Sequence, residues 1–240
     1  MTMTPLVFAV AAALGNVAGA LAVVRGERRS LRFIDACLAF GAGFMLAVAT
    51  LGVLPQVLGD SPGGAIYVLA GYLAVHLAQH VLTPHFHFGE ETHRVSATAG
   101  ISAMLGLTLH TFFDGVAIAS GFLVSGRLGA LLFLAVLLHK LPEGVTIASV
   151  MVAGGQGRRR ALGGAAVLGL ATVLGVIFTE QMAPLAQHGL AISGGVTLYV
   201  AASNLVPEFQ AKRGGLTAAA FFGGALAFFV AERLLEAWIG

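Results

Sequence analysis

Eight long apolar runs constrain this chain more than any other feature of its sequence. A helix that crosses a bilayer needs about 20 mostly apolar residues, whereas a spanning strand needs about 10 that alternate with polar ones. Because these runs are continuous, they predict an all-α polytopic membrane protein with eight transmembrane helices and no separate soluble domain, so that residues 1–240 form a single transmembrane domain. The runs cover approximately residues 5–24, 33–55, 64–83, 96–124, 128–153, 161–180, 190–210 and 214–236.

The charged residues are too few for a soluble fold. Only 13 basic and 11 acidic side chains occur, 10% of the chain, against about 25% in an ordinary soluble domain. A soluble enzyme is therefore excluded. No nucleic-acid partner is expected either, because the basic residues lie in short loops rather than on one face. The single cysteine, Cys37, allows no intramolecular disulfide.

The basic residues of the loops predict the orientation of the helices. Those on one side carry ten of them, whereas the other side carries Arg127 and Arg233. Loops rich in Lys and Arg face the cytoplasm, so both termini are expected outside. The ten are Arg25, Arg28, Arg29, Arg32, Arg94, Arg158, Arg159, Arg160, Lys212 and Arg213.

An internal repeat contains the residues with metal-binding chemistry. HTFFDGVAIAS (110–120) and HKLPEGVTIAS (139–149) are identical at six of eleven positions with an offset of 29. Their spans are joined by one short loop and must be antiparallel, so the repeat is inverted and its histidines fall near the bilayer midplane. A second echo, between 41–56 and 193–208 at an offset of 152, indicates that spans 1–3 and 6–8 are inverted copies around the central pair.

The spacing within each motif favours a metal site. His110 and Asp114 are four residues apart, as are His139 and Glu143, so each pair shares one face of its helix. Two imidazoles and two carboxylates form a suitable shell for a divalent transition metal such as zinc, whereas Mg²⁺ and Ca²⁺ prefer oxygen ligands alone. Pro142 is expected to kink span 5 beside the site and to free a backbone carbonyl for the ion. A purely structural role for these polar residues is the alternative.

The two motifs, HTFFDG and HKLPEG, resemble the signature of the ZIP (Zrt/Irt-like protein) metal transporters, and the resemblance covers essentially the whole chain. It implies uptake of Zn²⁺, and in some members of Fe²⁺, Mn²⁺ or Cd²⁺, towards the cytoplasm. It also implies a 3+2+3 arrangement and an elevator-type alternating access, in which spans 1, 4, 5 and 6 move against spans 2, 3, 7 and 8. The metal is then a substrate rather than a cofactor, and no catalysis is expected.

Departures from the family pattern predict one ion per site, bound by His110, Asp114, His139 and Glu143. Many members have Asn where this chain has Thr111, and members with two metals carry an acid at the position of Lys140. The middle of span 6, residues 167–175, also has no acid. Lys140 then replaces the second cation with a tethered ammonium or, alternatively, holds Glu143 in place.

Further histidines and one glutamate mark an expected cytoplasmic exit path, with a solvated polar loop at 84–94 as the alternative. The competing functions are an intramembrane metal-dependent hydrolase and a selective metal channel. The expected surroundings are a bacterial cytoplasmic membrane, and the many small residues would permit a homodimer. The exit-path residues are His76, His80, His85, His87, His93 and Glu208.

Overall fold

A computed structural model describes residues 3–25, 31–60, 63–79, 97–207 and 215–239, and these contain helices and no strand. Two complete π-helical segments interrupt the described α-helices: Val48–Val53 joins α2 to α3, and Val200–Leu205 extends α8. Residues 78 and 79, after α4, also have π-helical backbone. The α-helices are α1 (Met3–Val24), α2 (Leu31–Ala47), α3 (Leu54–Asp60), α4 (Gly64–Leu77), α5 (Ala97–Val124), α6 (Gly126–Ala153), α7 (Arg158–Gln181), α8 (Ala183–Tyr199) and α9 (Gly215–Ile239).

Six stretches of the described chain are long and apolar enough to cross a membrane. They lie in α1, in the continuous rod from α2 to α3, and in α5, α6, α7 and α9. The two other sequence-predicted spans contain α4, with 14 residues, and α8, with 17. The described chain is therefore a multi-helix membrane protein, and the count of eight spans stays a prediction.

The segment between α7 and α8 is more helical than the sequence analysis indicated. Residues 181–189 were interpreted as a break, but α8 begins at Ala183 and only Met182 between the two helices has extended backbone. Pro184 lies in the first turn of α8, where its missing N–H removes no helical hydrogen bond. The polar residues of this segment therefore lie on a helix.

The two π-helical segments occupy equivalent positions of the second sequence repeat. Val48–Val53 and Val200–Leu205 differ by the offset of 152 that aligns the two copies. Each precedes a proline by two residues, Pro55 in one copy and Pro207 in the other. A proline ring clashes with the carbonyl four residues earlier and leaves it without a donor, and a π segment accommodates both effects. The shared irregularity supports a structural relation between the two copies.

The helices pack in two groups. In the first, α1, α5, α6 and α7 contact one another, and in the second α2 packs on α9 and α4 on α8. The groups meet mainly where α5 contacts α8 and α2 contacts α6. Small residues bring α1 and α6 close together, because a Cβ added at Gly144 would collide with the carbonyl oxygen of Asn16. The repeat carrying the proposed ligands thus lies in the first group, on the side that faces the second.

Candidate metal site

Two antiparallel helices bring the four predicted ligands together. α5 supplies His110 and Asp114, and α6 supplies His139 and Glu143. In each pair, residues one helical turn apart project from the same face. One ligand atom from each of the four residues lies within 4.8 Å of all the others, and all four side chains are buried. The four residues are thus close enough to bind one ion together, and their role as metal ligands stays a prediction.

The Asp114 carboxylate lies at the centre of the group. Its Oδ2 is 3.5 Å from Nε2 of His110 and 3.3 Å from Nε2 of His139, and the latter is 3.9 Å from Oε2 of Glu143. In a tetrahedral zinc site with bonds of about 2.1 Å, neighbouring ligand atoms lie about 3.4 Å apart. The separations therefore suit ligands that converge on one ion.

Hydrogen bonding orients His139 for metal binding. Its Nδ1 lies 2.9 Å from the carbonyl oxygen of Ala135, one turn earlier in α6. Because a carbonyl can only accept, Nδ1 carries a proton, and in the neutral ring the lone pair of Nε2 is then free for a metal ion. The second nitrogen of a metal-binding histidine is usually fixed in this way.

Two further polar atoms of the group lack a partner among the described residues. They are Nδ1 of His110 and Oε1 of Glu143, and both are buried. A buried polar atom without a hydrogen bond is costly, and a carboxylate more so. The group therefore has unused capacity to bind a cation.

Lys140 is fully buried within the same group. Its Nζ lies 2.6 Å from Oδ2 of Asp114 and 2.8 Å from Oε2 of Glu143. These are the lengths of charge-assisted hydrogen bonds. Lys140 does not reach an aqueous surface, and it contacts both carboxylates rather than Glu143 alone.

Thr111 and Pro142 both take part in hydrogen bonds within their own helices. Thr111 is completely buried, and its Oγ1 donates to the carbonyl of Thr108 at 3.0 Å. α6 continues through Pro142, whose carbonyl accepts a hydrogen bond from Oγ1 of Thr146 at 3.0 Å. The carbonyl that Pro142 is expected to free is that of Leu138, one turn earlier, and its role as a ligand stays a prediction.

A cavity of about 20 Å³ adjoins the ligands on one side. This volume holds about one water-sized sphere. It lies on the side of the ligands towards the N-terminal end of α5 and the C-terminal end of α6, because Leu107 and Thr146 line it. Its lining comprises Leu38, Gln79, Leu107, His110, His139, Glu143, Thr146, Val200, Asn204 and Leu205.

The expected exit path is described only in part. His76 does not line the cavity, and its Nδ1 lies 3.5 Å from the Tyr199 hydroxyl instead. Gln79, one turn further along, does line it, and the sequence analysis missed this residue. The other exit-path predictions fall outside the described residues: His80, His85, His87, His93 and Glu208.

Asn16 was also missed by the sequence analysis. It is completely buried in α1, and neither polar atom of its side chain has a partner in the described part of the chain. Its backbone contacts the position of Gly144, next to Glu143. An amide in an otherwise apolar helix was the available signal, since such residues are costly in lipid and usually face the bundle interior.

Fold and site together define a class: a polytopic helical membrane protein with a buried histidine–carboxylate group that could hold a metal ion. The family model described as ZIP Zinc transporter matches residues 87–232. Zinc transporter GufA of Myxococcus xanthus is 32% identical over 186 residues, which are 73% of this chain and 72% of that protein. Zinc transporter ZupT of Shigella dysenteriae is 30% identical over 224 residues, 85% of each chain. The chain therefore belongs to the ZIP zinc transporter family.

Proposed function

We propose that this protein carries divalent transition-metal ions, zinc foremost, across the bacterial cytoplasmic membrane towards the cytoplasm. The observation that carries this proposal is the convergence of His110, Asp114, His139 and Glu143 in the buried core of two antiparallel helices. Membership of the ZIP family and the relatives named as zinc transporters support it. One ion binds at a time, because the group offers four ligands and Lys140 fills the remaining space between the carboxylates.

The ligand set selects the metal class. Two imidazoles and two carboxylates suit Zn²⁺, and they also accept Fe²⁺, Cd²⁺ and Mn²⁺, whereas Mg²⁺ and Ca²⁺ prefer oxygen ligands alone. Zinc is the preferred substrate because four nitrogen and oxygen ligands match its usual coordination number.

The barrier between the ligands and one side of the molecule supports alternating access. On the opposite side from the ligand cavity, a separate cavity of about 480 Å³ reaches only to Leu131 in α6. That residue precedes His139 by eight positions, or about 12 Å along a helix. Buried Leu132, Ala135 and Val136 lie between Leu131 and His139 along α6. The described structure thus resembles a carrier closed on one side.

The two helix groups support an elevator-type motion. The ligands lie entirely in α5 and α6, which pack with α1 and α7. We infer that this group slides against α2, α3, α4, α8 and α9 and carries the ion with it. Eight spans, a 3+2+3 inverted repeat and external termini complete the proposal, with the basic loops in the cytoplasm. The homodimer stays a prediction.

The two competing functions fit less well. The cavity beside the ligands, about 20 Å³, holds a water-sized molecule but no peptide or lipid, as a hydrolase would require. A selective channel requires a continuous path, whereas buried apolar residues separate the ligands from the other cavity.

Uptake of radioactive zinc into proteoliposomes tests the proposed function. Wild-type protein is expected to give saturable uptake, and His139→Ala and Glu143→Ala to reduce it by at least about tenfold, because each removes a metal ligand. Glu236→Ala is the matched control, since Glu236 is an exposed partner of Arg233 far from the site. Normal uptake by both site variants would refute the assignment.

A further inference from the structure

We propose that Lys140 is a built-in counter-cation that lets the empty carrier return across the membrane. The proposal deepens the proposed function and rests on it. A carrier that takes up metal must complete two movements: one with the ion bound and one with the site empty. Lys140 governs the second movement, in which no metal balances the two buried carboxylates.

The geometry places the ammonium where the metal would otherwise neutralise charge. Nζ of Lys140 contacts Asp114 from the neighbouring helix and Glu143 from its own, at 2.6 and 2.8 Å. The side chain is 0% exposed, so solvent does not screen it. Because both carboxylates are proposed ligands, an arriving metal ion and the ammonium compete for the same oxygens.

Lys140 moves together with the site. Its described polar contacts are with α5 and α6, and its Cβ lies against Gly15 of α1, where an added Cβ would come within 3.2 Å. All three helices belong to the group that we propose to move. The counter-cation is therefore a fixed part of the mobile group.

The charges explain why such a group helps. With Lys140, the two carboxylates and the ammonium give a formal charge of −1 when the site is empty and +1 when it holds a divalent ion. Without Lys140 the charges would be −2 and 0. The cost of burying an ion rises with the square of its charge, so a charge of −2 costs roughly four times as much as −1. Lys140 thus gives the empty and loaded sites charges of equal magnitude.

The alternative role is purely local: Lys140 holds Glu143 in the orientation that binds metal. Loss of Lys140 would then weaken zinc binding and slow every transport mode that uses zinc. The counter-cation role predicts instead that only movement of the empty site becomes slow, and two flux measurements separate the two roles.

The test compares net uptake with exchange in the same proteoliposomes. Net uptake into zinc-free vesicles requires the empty carrier to return. Exchange of radioactive zinc, with saturating zinc on both sides, requires only the loaded carrier. For Lys140→Met, which keeps an unbranched side chain of similar length, net uptake should fall about tenfold or more. Exchange should not fall, because the charge of the loaded site changes from +1 to 0.

Two variants of Glu143 complete the design. Glu143→Gln alone gives a charge of 0 for the empty site and +2 for the loaded site. Exchange, which depends on movement of the loaded carrier, should therefore fall. Lys140→Met combined with Glu143→Gln restores −1 and +1. The ratio of net uptake to exchange should therefore return towards the wild-type ratio, even where weaker zinc binding lowers both rates.

One result would overturn the inference alone: a ratio of net uptake to exchange in Lys140→Met equal to the wild-type ratio, whether or not both fluxes fall. A wild-type protein that moves no zinc in either mode would overturn the transport function as well. Exchange at the wild-type rate or above in Lys140→Met also demonstrates that the variant is folded, so a selective loss of net uptake cannot result from misfolding.

Discussion

At the scale of single residues, the Asp114 carboxylate joins the two halves of the site. It contacts His139 and Lys140 of α6 as well as His110 of its own helix. Removing one member of a buried charged group leaves the others uncompensated, which is more costly than the loss of an exposed ion pair. The four proposed ligands and Lys140 therefore act as one unit.

Sequence spacing predicted which residues share a helix face, but not every contact between helices. Four-residue spacing places His110 with Asp114 and His139 with Glu143, because an α-helix repeats every 3.6 residues. The contact from Lys140 to Asp114 depends on the relative rotation of α5 and α6. Gln79 and Asn16 reach their positions through tertiary packing that no motif encodes.

The close approach of α1 to α6 gives a prediction at this scale. Gly144→Ala should lower the thermal stability of the purified protein in detergent, because the new Cβ would collide with backbone rather than with a movable side chain. Overpacking of this kind costs about 1–3 kcal/mol or more.

Gly163→Ala in α7 is the matched control. Nothing lies within 4 Å of the added Cβ at this position. Alanine is a better helix former than glycine by about 1 kcal/mol, so stability should stay equal or rise. If the two variants melt at the same temperature, the described α1–α6 contact is wrong.

At the scale of helices, the paired π segments relate the two copies of the outer repeat. Val200–Leu205 contributes three residues to the lining of the ligand cavity, whereas Val48–Val53 contributes two to the cavity on the opposite side. The same irregular element thus borders one cavity on each side of the site. The repeat was predictable from the sequence but these segments were not, since their residues continue the apolar runs of the neighbouring α-helices.

A reversible cross-link between the helix groups tests the sliding motion. Ser120 in α5 and Gly189 in α8 belong to different groups, and a Cβ at Gly189 would lie 3.8 Å from that of Ser120. This is the usual Cβ separation in a disulfide. With Cys37 replaced, Ser120→Cys combined with Gly189→Cys should lose zinc transport on oxidation and regain it on reduction.

A second pair controls for the chemistry of cross-linking. Val53 and Gly194 both lie in the group that we propose stays fixed, with the same Cβ separation of 3.8 Å. Both pairs place the new Cβ against a neighbouring side chain, so they are matched in crowding. Oxidation of Val53→Cys combined with Gly194→Cys should leave transport unchanged. Full transport by the oxidised Ser120 and Gly189 pair would contradict the elevator motion.

At the scale of the whole molecule, the apolar exterior and the polar interior have opposite roles. α9 is only 11% buried over its most apolar window and exposes side chains such as Phe222, Leu226 and Trp238. A soluble protein rarely exposes so large an apolar face, and lipid accounts for it. Among the described residues, the buried acidic and basic side chains are those of Asp114, Lys140 and Glu143.

The overall architecture was more accessible from the sequence than the ends of its helices. Long apolar runs predict helices because lipid leaves no other way to satisfy the backbone. The ends of helices are harder to predict, because the polar residues that mark them occur both in loops and in the terminal turns of helices. The segment 181–189 is an example: its Pro, Gln and His residues resembled a loop, yet α8 includes most of them.

The most direct test of the central claim is to measure zinc bound by the purified protein in detergent, by elemental analysis and X-ray absorption spectroscopy. We predict one zinc per chain, with two histidine nitrogens and two carboxylate oxygens at about 2.0–2.2 Å. His139→Ala should lose the ion or one histidine contribution, whereas Glu236→Ala should keep the wild-type spectrum. A zinc site whose stoichiometry and spectrum are unchanged in His139→Ala would contradict the account.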